Sequence, residues 1–222
     1  QRVAKGIQPW ILVDPWRFGR KSLVRGILCI EGANKTDSAS IRRCREAFSK
    51  LFASAGVQVN KLRLLPCGSR NDAFGTFRSK VGEEGVFVAL LVDSEDAVAD
   101  NEKPWDHLHL RDGWQRPEGV IDKQALLMIA CMETWIAADA LSLRKHFGQG
   151  FKEKALPSLH DLEKKHRHAV LDCLEKAAKD CRSQYTKGDR SFQILADLNP
   201  EVLTKHLPSF ERTVRILKDK IK

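Results

Sequence analysis

The chain has 222 residues, 42% of them hydrophobic and 30% charged, with a net charge of +9. A chain of that length builds a core without metal or disulfide staples. Its longest apolar runs, Val86–Val92 and Ala125–Cys131, fall far short of the ~20 residues that cross a bilayer, so a membrane span is excluded. The charge is unevenly spread: residues 1–82 carry a net +11, residues 83–139 a net −9 and residues 140–222 a net +7. An acidic middle between basic flanks suits a cation site serving a phosphate polymer, and equally a solvated acidic loop between basic helices.

In chain order, residues 1–24 show no periodicity and mix Trp10, Trp16 and Phe18 with Arg17, Arg20 and Lys21. They read as an arm, packed on the domain or binding a partner or nucleic acid. Arg25–Ile30 is a short apolar run ended by Glu31-Gly32 and reads as a buried strand. Ile41, Cys44, Phe48, Leu51, Phe52 and Ala55 form a helical stripe, with Asp37 or Ser38 as cap and Gly56 after its end. Val57–Leu65 alternates like a strand closed by Pro66, and Asn71–Val81 reads as a helix with Phe74 and Phe77 inward. The continuous run Val86–Val92 is the pattern of a parallel strand covered on both faces.

Glu95–Val120 reads as a long irregular stretch containing Trp105, His107, His109 and Trp114; loops of that length are more often functional than idle. Ala125–Cys131 reads as a strand followed by a helix from Met132 to His146, stopped by Gly148. One long helix over Asp122–His146 fits the periodicity too. An apolar stripe from Leu162 to Cys181, a helix start at Asn199-Pro200 and an amphipathic helix over Phe210–Ile221 make the remainder helical. The expected architecture is an α/β domain over residues 25–148, with a mostly parallel sheet flanked by helices, and a helical C-terminal region, 149–222, packed on it.

Three carboxylates share one property in this reading. Glu31 ends the first strand, Asp93 ends the third and Glu133 follows the fourth. In a parallel sheet the carboxyl ends of the strands share one edge, where sites collect. Acids gathered there repel unless a cation compensates them, and hard oxygen donors suit Mg²⁺ or Mn²⁺. Glu95 follows Asp93 by two residues, a spacing that lets alternate strand residues aim two carboxylates the same way; Asp96 is a neighbour of unassigned role, as is Asp139.

Glu-Gly after a first strand, the Asp93-Ser94-Glu95 pair, and the stretches PCGSRNDAF (66–74), METWIAAD (132–139) and YTKGDRSFQIL (185–195) resemble, in this order, the Toprim-type nucleases. The likeness is to the small Toprim-like proteins of bacterial defence operons, RloB-like proteins and relatives of the OLD nucleases. The resemblance implies a Toprim-like fold and a divalent-metal-dependent endonuclease acting on DNA or RNA, tRNA included. It also implies a role in anti-phage defence beside an ABC- or AAA-type ATPase of the same operon, with a homodimer left open. It makes Glu31 a metal ligand or proton-transfer group, Asp93 and Glu95 the D-x-D pair with Glu in place of the second Asp, and Glu133 a further ligand. Basic groups should complete such a site. Arg70, in a Gly-Ser-Arg-Asn turn before a helix, is a candidate to meet phosphate with that helix's N-terminus. Lys187 in YTKGDR is a candidate to meet phosphate and neutralise transition-state charge, and Arg190 to bind nucleic acid. An ordinary turn arginine and a solvated lysine are the other readings of the first two. No organic cofactor is implied.

The alternative is a non-catalytic Toprim-like adaptor that binds an ATPase or nucleic acid, kept open by the D-x-E substitution. A phosphotransferase of the haloacid-dehalogenase type fits less well, because Asp93-Ser94-Glu95-Asp96-Ala97 lacks its second Asp and leaves Glu31 without a role. His166 is expected on an apolar helix face and His168 off it, so with His160 they are not expected to converge on a metal. His107 and His109 are likewise discounted as ligands or shuttles, and there is no GxSxG, Walker loop or HExxH. The six cysteines show no CxxC and read as buried hydrophobes in a reducing cytoplasm.

Overall fold

The computed structural model describes residues 24–222; the expected arm lies, but for Val24, outside the described residues. Four strands, β1 (Gly26–Ile30), β2 (Leu62–Pro66), β3 (Phe87–Asp93) and β4 (Ala125–Met128), form one all-parallel sheet in the order β2-β1-β3-β4. Gly26 pairs with Leu62 on one side and Phe87 on the other, and Leu90 with Ala125. The apolar runs are continuous because both faces of the sheet are covered. Ile27, Cys29, Val88, Leu90, Val92 and Leu127 pack toward one core, and Leu28, Ile30, Ala89, Leu91, Leu126 and Met128 toward the other.

Helix α1 (Ser38–Ser54), N-capped by Asp37, lies on the second face. Helix α2 (Arg70–Lys80), started by a Ser69–Asp72 capping box, lies on the first through Phe74 and Phe77. The chain therefore leaves β1 for β2 over one face, then steps back past β1 to β3 over the other. The crossovers diverge between β1 and β3, so the carboxyl ends of those strands frame the crevice where doubly wound sheets hold ligands.

Several elements differ from the sequence reading. The stretch after Glu95 contains helix α3 (Pro104–Asp112), started by Pro104 and anchored by buried Trp105 and Leu108. β4 ends at Met128, and the one helix expected over 132–146 is two, α4 (Met132–Ala137) and α5 (Ala140–Phe147). Asp139 breaks them: its Oδ1 caps α5 by accepting from the Ser142 amide at 3.0 Å, and its Oδ2 accepts from the Asn199 amide at 2.8 Å. The stripe from Leu162 is interrupted by a 3₁₀ turn, and helix α6 (Arg167–Ala178) begins after His166, whose ring caps it. His166 and His168 are both exposed, with ring centroids 5.1 Å apart. That corrects the expected placement of His166, which is an exposed cap and not part of an apolar helix face.

Helices α7 (Asp189–Leu195), α8 (Pro200–His206) and α9 (Pro208–Lys220) complete the chain. α7 packs on α1 and α9 on β4, so Phe192, Leu203, Phe210 and Leu217 join the core that also buries Leu28 and Ile30. All six cysteines are free thiols. Among the described residues no helix is long and apolar enough to cross a membrane.

Candidate metal centre at the edge of the sheet

Glu31 follows β1 directly, and its amide extends the ladder by donating to the Leu91 carbonyl at 3.0 Å. Gly32, at φ +114°, takes a backbone conformation open to glycine and turns the chain away at once. Asp93 is the last residue of β3 and is buried. Strand alternation is not what brings Glu95 beside it. The strand stops at Asp93, and Glu95 sits at φ +70° with its amide bound to the Ala130 carbonyl at 2.7 Å. An L-residue in that region costs roughly 1–2 kcal/mol. The result is that one carboxylate oxygen from each of Glu31, Asp93 and Glu95 falls within 4.8 Å of the others.

Glu31 is oriented by its surroundings. Its Oε2 accepts from Arg70 Nη1 and from the Asp93 amide, both at 3.2 Å. Arg70, the first residue of α2, is 13% exposed and has its donors engaged. Nη2 meets Asp112 at 2.5 Å, Nη1 also bonds the Asp93 carbonyl, and the guanidinium lies 5.2 Å from the Trp114 ring centroid. The turn read as a phosphate contact thus points its arginine inward, where it holds Glu31. Asp93 Oδ1 accepts from the Met132 amide at 2.8 Å.

Glu133 is 1% exposed and lines the same 120 Å³ pocket, but it is not among the three converging acids. Its Oε1 accepts from Tyr185 Oη at 3.2 Å, and its Oε2 lies 3.7 Å from Lys187 Nζ. Tyr185 Oη also bonds Ser191 Oγ at 2.8 Å. Lys187 and Gly188 line the pocket from the C-terminal region. Arg190 does not line it; its charge acts on His146, at the end of α5. Asp96 is exposed and pairs with Arg111 at 3.7 Å. His107 is buried with Nε2 3.0 Å from the Ser94 carbonyl, which pins the turn carrying Glu95; His109 is exposed.

The charge balance is strained in the direction a cation would relieve. Burial pushes the Glu31 carboxyl above its ordinary value, against the pull of Arg70. Burial, then repulsion from Glu31 and Glu133, push Asp93 well above the usual carboxylate range. Burial pulls Lys187 down, but Glu133 and Asp93 outweigh it and leave the ammonium raised. Burial, then the Glu133 charge, push the Tyr185 phenol up. An all-oxygen donor set of mutually repelling carboxylates fits a hard divalent ion such as Mg²⁺ or Mn²⁺.

Three residues at this edge escaped the sequence reading. Tyr185 opens the stretch YTKGDRSFQIL, where sequence alone gives it no role. Arg111 fell in a stretch read as irregular, and Arg167 in one read as a continuous stripe. Both pair with Glu95.

Residues 24–218 match the family model described as "Domain of unknown function (DUF4276)". None of the curated proteins matches the sequence. Among solved structures, the C-terminal region of the Burkholderia pseudomallei OLD protein aligns at 15% identity and a TM-score of 0.49, over 90% of this chain and 99% of that one. The C-terminal region of the Xanthomonas campestris pv. campestris OLD protein aligns at 16% identity and a TM-score of 0.43, over 89% and 96%.

Proposed function

The chain belongs to the DUF4276 family, and we propose that it is a divalent-metal-dependent endonuclease that hydrolyses phosphodiester bonds in nucleic acid. The observation that carries this reading is the convergence of Glu31, Asp93 and Glu95 within 4.8 Å at the crevice between β1 and β3. Glu31, Asp93 and Glu95 would hold the ion, Mg²⁺ or Mn²⁺. A divalent ion bound there supplies Lewis-acid activation of water and neutralises charge on the phosphate oxygens.

The chain's own residues prepare that site. Arg70 and the Asp93 amide fix the Glu31 carboxylate, and the Met132 amide fixes Asp93. Tyr185, itself bonded to Ser191, holds Glu133, which keeps the Lys187 ammonium charged and near the pocket. Lys187 is 60% exposed, so it can meet a phosphate arriving from solvent and stabilise the charge that grows in the transition state. The basic segments on either side of the acidic one suit a polyanionic backbone, whose binding is dominated by phosphate contacts and weakens with salt.

The sequence resemblance extends the reading to a cytoplasmic effector of bacterial anti-phage defence working beside an ATPase. Incubating plasmid DNA and bulk tRNA with the protein and Mn²⁺, Mg²⁺ or EDTA tests the core of it. Cutting that needs the metal and disappears in Glu31→Ala supports the nuclease and identifies its polymer. Cutting that survives Glu31→Ala removes the site assignment, and no cutting of either polymer favours the adaptor.

A further inference from the structure

Among the described residues, Glu95 is the only one of the three converging carboxylates ion-paired with arginines from two elements. Arg111, on α3, lies 3.7 Å from Glu95 Oε2 and is also tied to Asp96 at 3.7 Å and Asp112 at 2.5 Å. Arg167, the first residue of α6, pairs with the same oxygen. The two differ in what else holds them. Arg111 has three carboxylates, whereas Glu95 is the one carboxylate paired with Arg167 among the described residues. Arg167 is 38% exposed, and it stands close enough to Lys187 for its charge to oppose that ammonium. Two part-exposed cations thus flank the pocket that Glu95 lines, each tethered by a carboxylate of the site.

A carboxylate that takes up a divalent ion has less charge to offer a guanidinium. The ion also repels the guanidinium directly. Arg111 keeps Asp96 and Asp112 when this happens; Arg167 loses its partner. Its planar fork is then free next to Glu95, and guanidinium forks match phosphate oxygens bidentately.

We propose that Arg167 is a phosphate-binding residue masked by Glu95, released when a divalent cation occupies the acidic site, so that cation and nucleic-acid backbone bind cooperatively. This rests on the nuclease reading and names the group that senses the metal. The coupling is reciprocal: whatever factor the ion adds to nucleic-acid affinity, nucleic acid adds to ion affinity.

The test is fluorescence anisotropy of a labelled DNA duplex and a labelled tRNA in Ca²⁺ or EDTA, with calorimetric titration of Ca²⁺ into the protein alone. Wild type should bind at least one polymer more tightly in Ca²⁺ than in EDTA. Arg167→Ala should lose about tenfold of the Ca²⁺-state affinity and about one unit of the salt slope, while binding Ca²⁺ alone more tightly than wild type. Arg167→Lys should recover part of the loss. Arg215→Ala, a charge removed from an exposed face of α9 where it pairs with Glu211, should stay within about twofold of wild type.

Wild-type binding that Arg167→Ala leaves unchanged overturns the inference and spares the nuclease reading. Weaker Ca²⁺ binding by Arg167→Ala alone also overturns it, because Arg167 would then be positioning Glu95 for the ion. Wild type that binds neither polymer overturns both.

Discussion

Replacing Asp93 with Asn should stabilise the metal-free protein at neutral pH and abolish its stabilisation by Mn²⁺. Asp93 is buried, and its carboxylate oxygen lies within 4.8 Å of those of Glu31 and Glu95. At an effective dielectric constant of 20, each such pair repels by about 3.5 kcal/mol. The guanidiniums of Arg70, Arg111 and Arg167 offset much of this, and so does the raised proton affinity of Asp93. The net relief on removing one charge is about 2 kcal/mol, or about 4–8 °C in Tm for a chain of this size. Asn keeps an oxygen for the Met132 amide.

The pH dependence follows from the sign of the shift. Asp93 is raised in the folded state, so its contribution is fully present below the ordinary carboxylate pKa and is lost as pH rises through the raised value. The variant and wild type should therefore melt alike below about pH 4 and separate as pH increases. Mn²⁺ at about a hundredfold its Kd should add about 2.7 kcal/mol to wild type, and nothing to Asp93→Asn. Differential scanning calorimetry from acid to neutral pH, with and without Mn²⁺, reads all of this. An Asp93→Asn protein that melts below wild type at neutral pH and keeps its Mn²⁺ shift would show that Asp93 neither repels its neighbours nor holds the ion.

Other perturbations separate the groups around the acids. Arg70→Ala strands two part-buried carboxylates and should cost about 3–5 kcal/mol in urea unfolding, with Arg70→Lys recovering only part because the fork to Asp112 and Glu31 is lost. Tyr185→Phe removes the hydroxyl shared by Glu133 and Ser191 and should cost about 1–3 kcal/mol in the same assay. Lys187→Ala should leave the Tm within about 2 °C of wild type while lowering kcat about a hundredfold, since the side chain is mostly exposed and its work falls in the transition state.

The sheet was legible because parallel strands buried on both faces become unbroken apolar runs, and acids at the ends of such runs share an edge by geometry alone. That reasoning located Glu31 and Asp93 from the pattern GILCI-E and VALLV-D. It reached Glu95 by a different route from the molecule's, which uses a left-handed turn where strand alternation was expected. The missed features depend on contacts between distant segments. α3 is short and polar, and burial of Trp105 and Leu108 against the sheet leaves no long periodic trace. The break before α5 needs the distant Asn199 amide to donate to the other oxygen of Asp139. Arg111 and Arg167 meet at Glu95 only after α3 and α6 have packed from separate parts of the chain. The inward course of Arg70 leaves no local trace, because nothing in its turn announces Asp112 and Trp114 beneath it.

The proposed nuclease requires Glu31, Asp93 and Glu95 together to hold a divalent ion. The most direct measurement counts Mn²⁺ bound per chain by electron paramagnetic resonance titration of wild type and of the Glu31→Gln, Asp93→Asn, Glu95→Gln triple variant. Wild type should bind at least one saturable Mn²⁺ and a folded triple variant none. Equal Mn²⁺ binding by both proteins would contradict it.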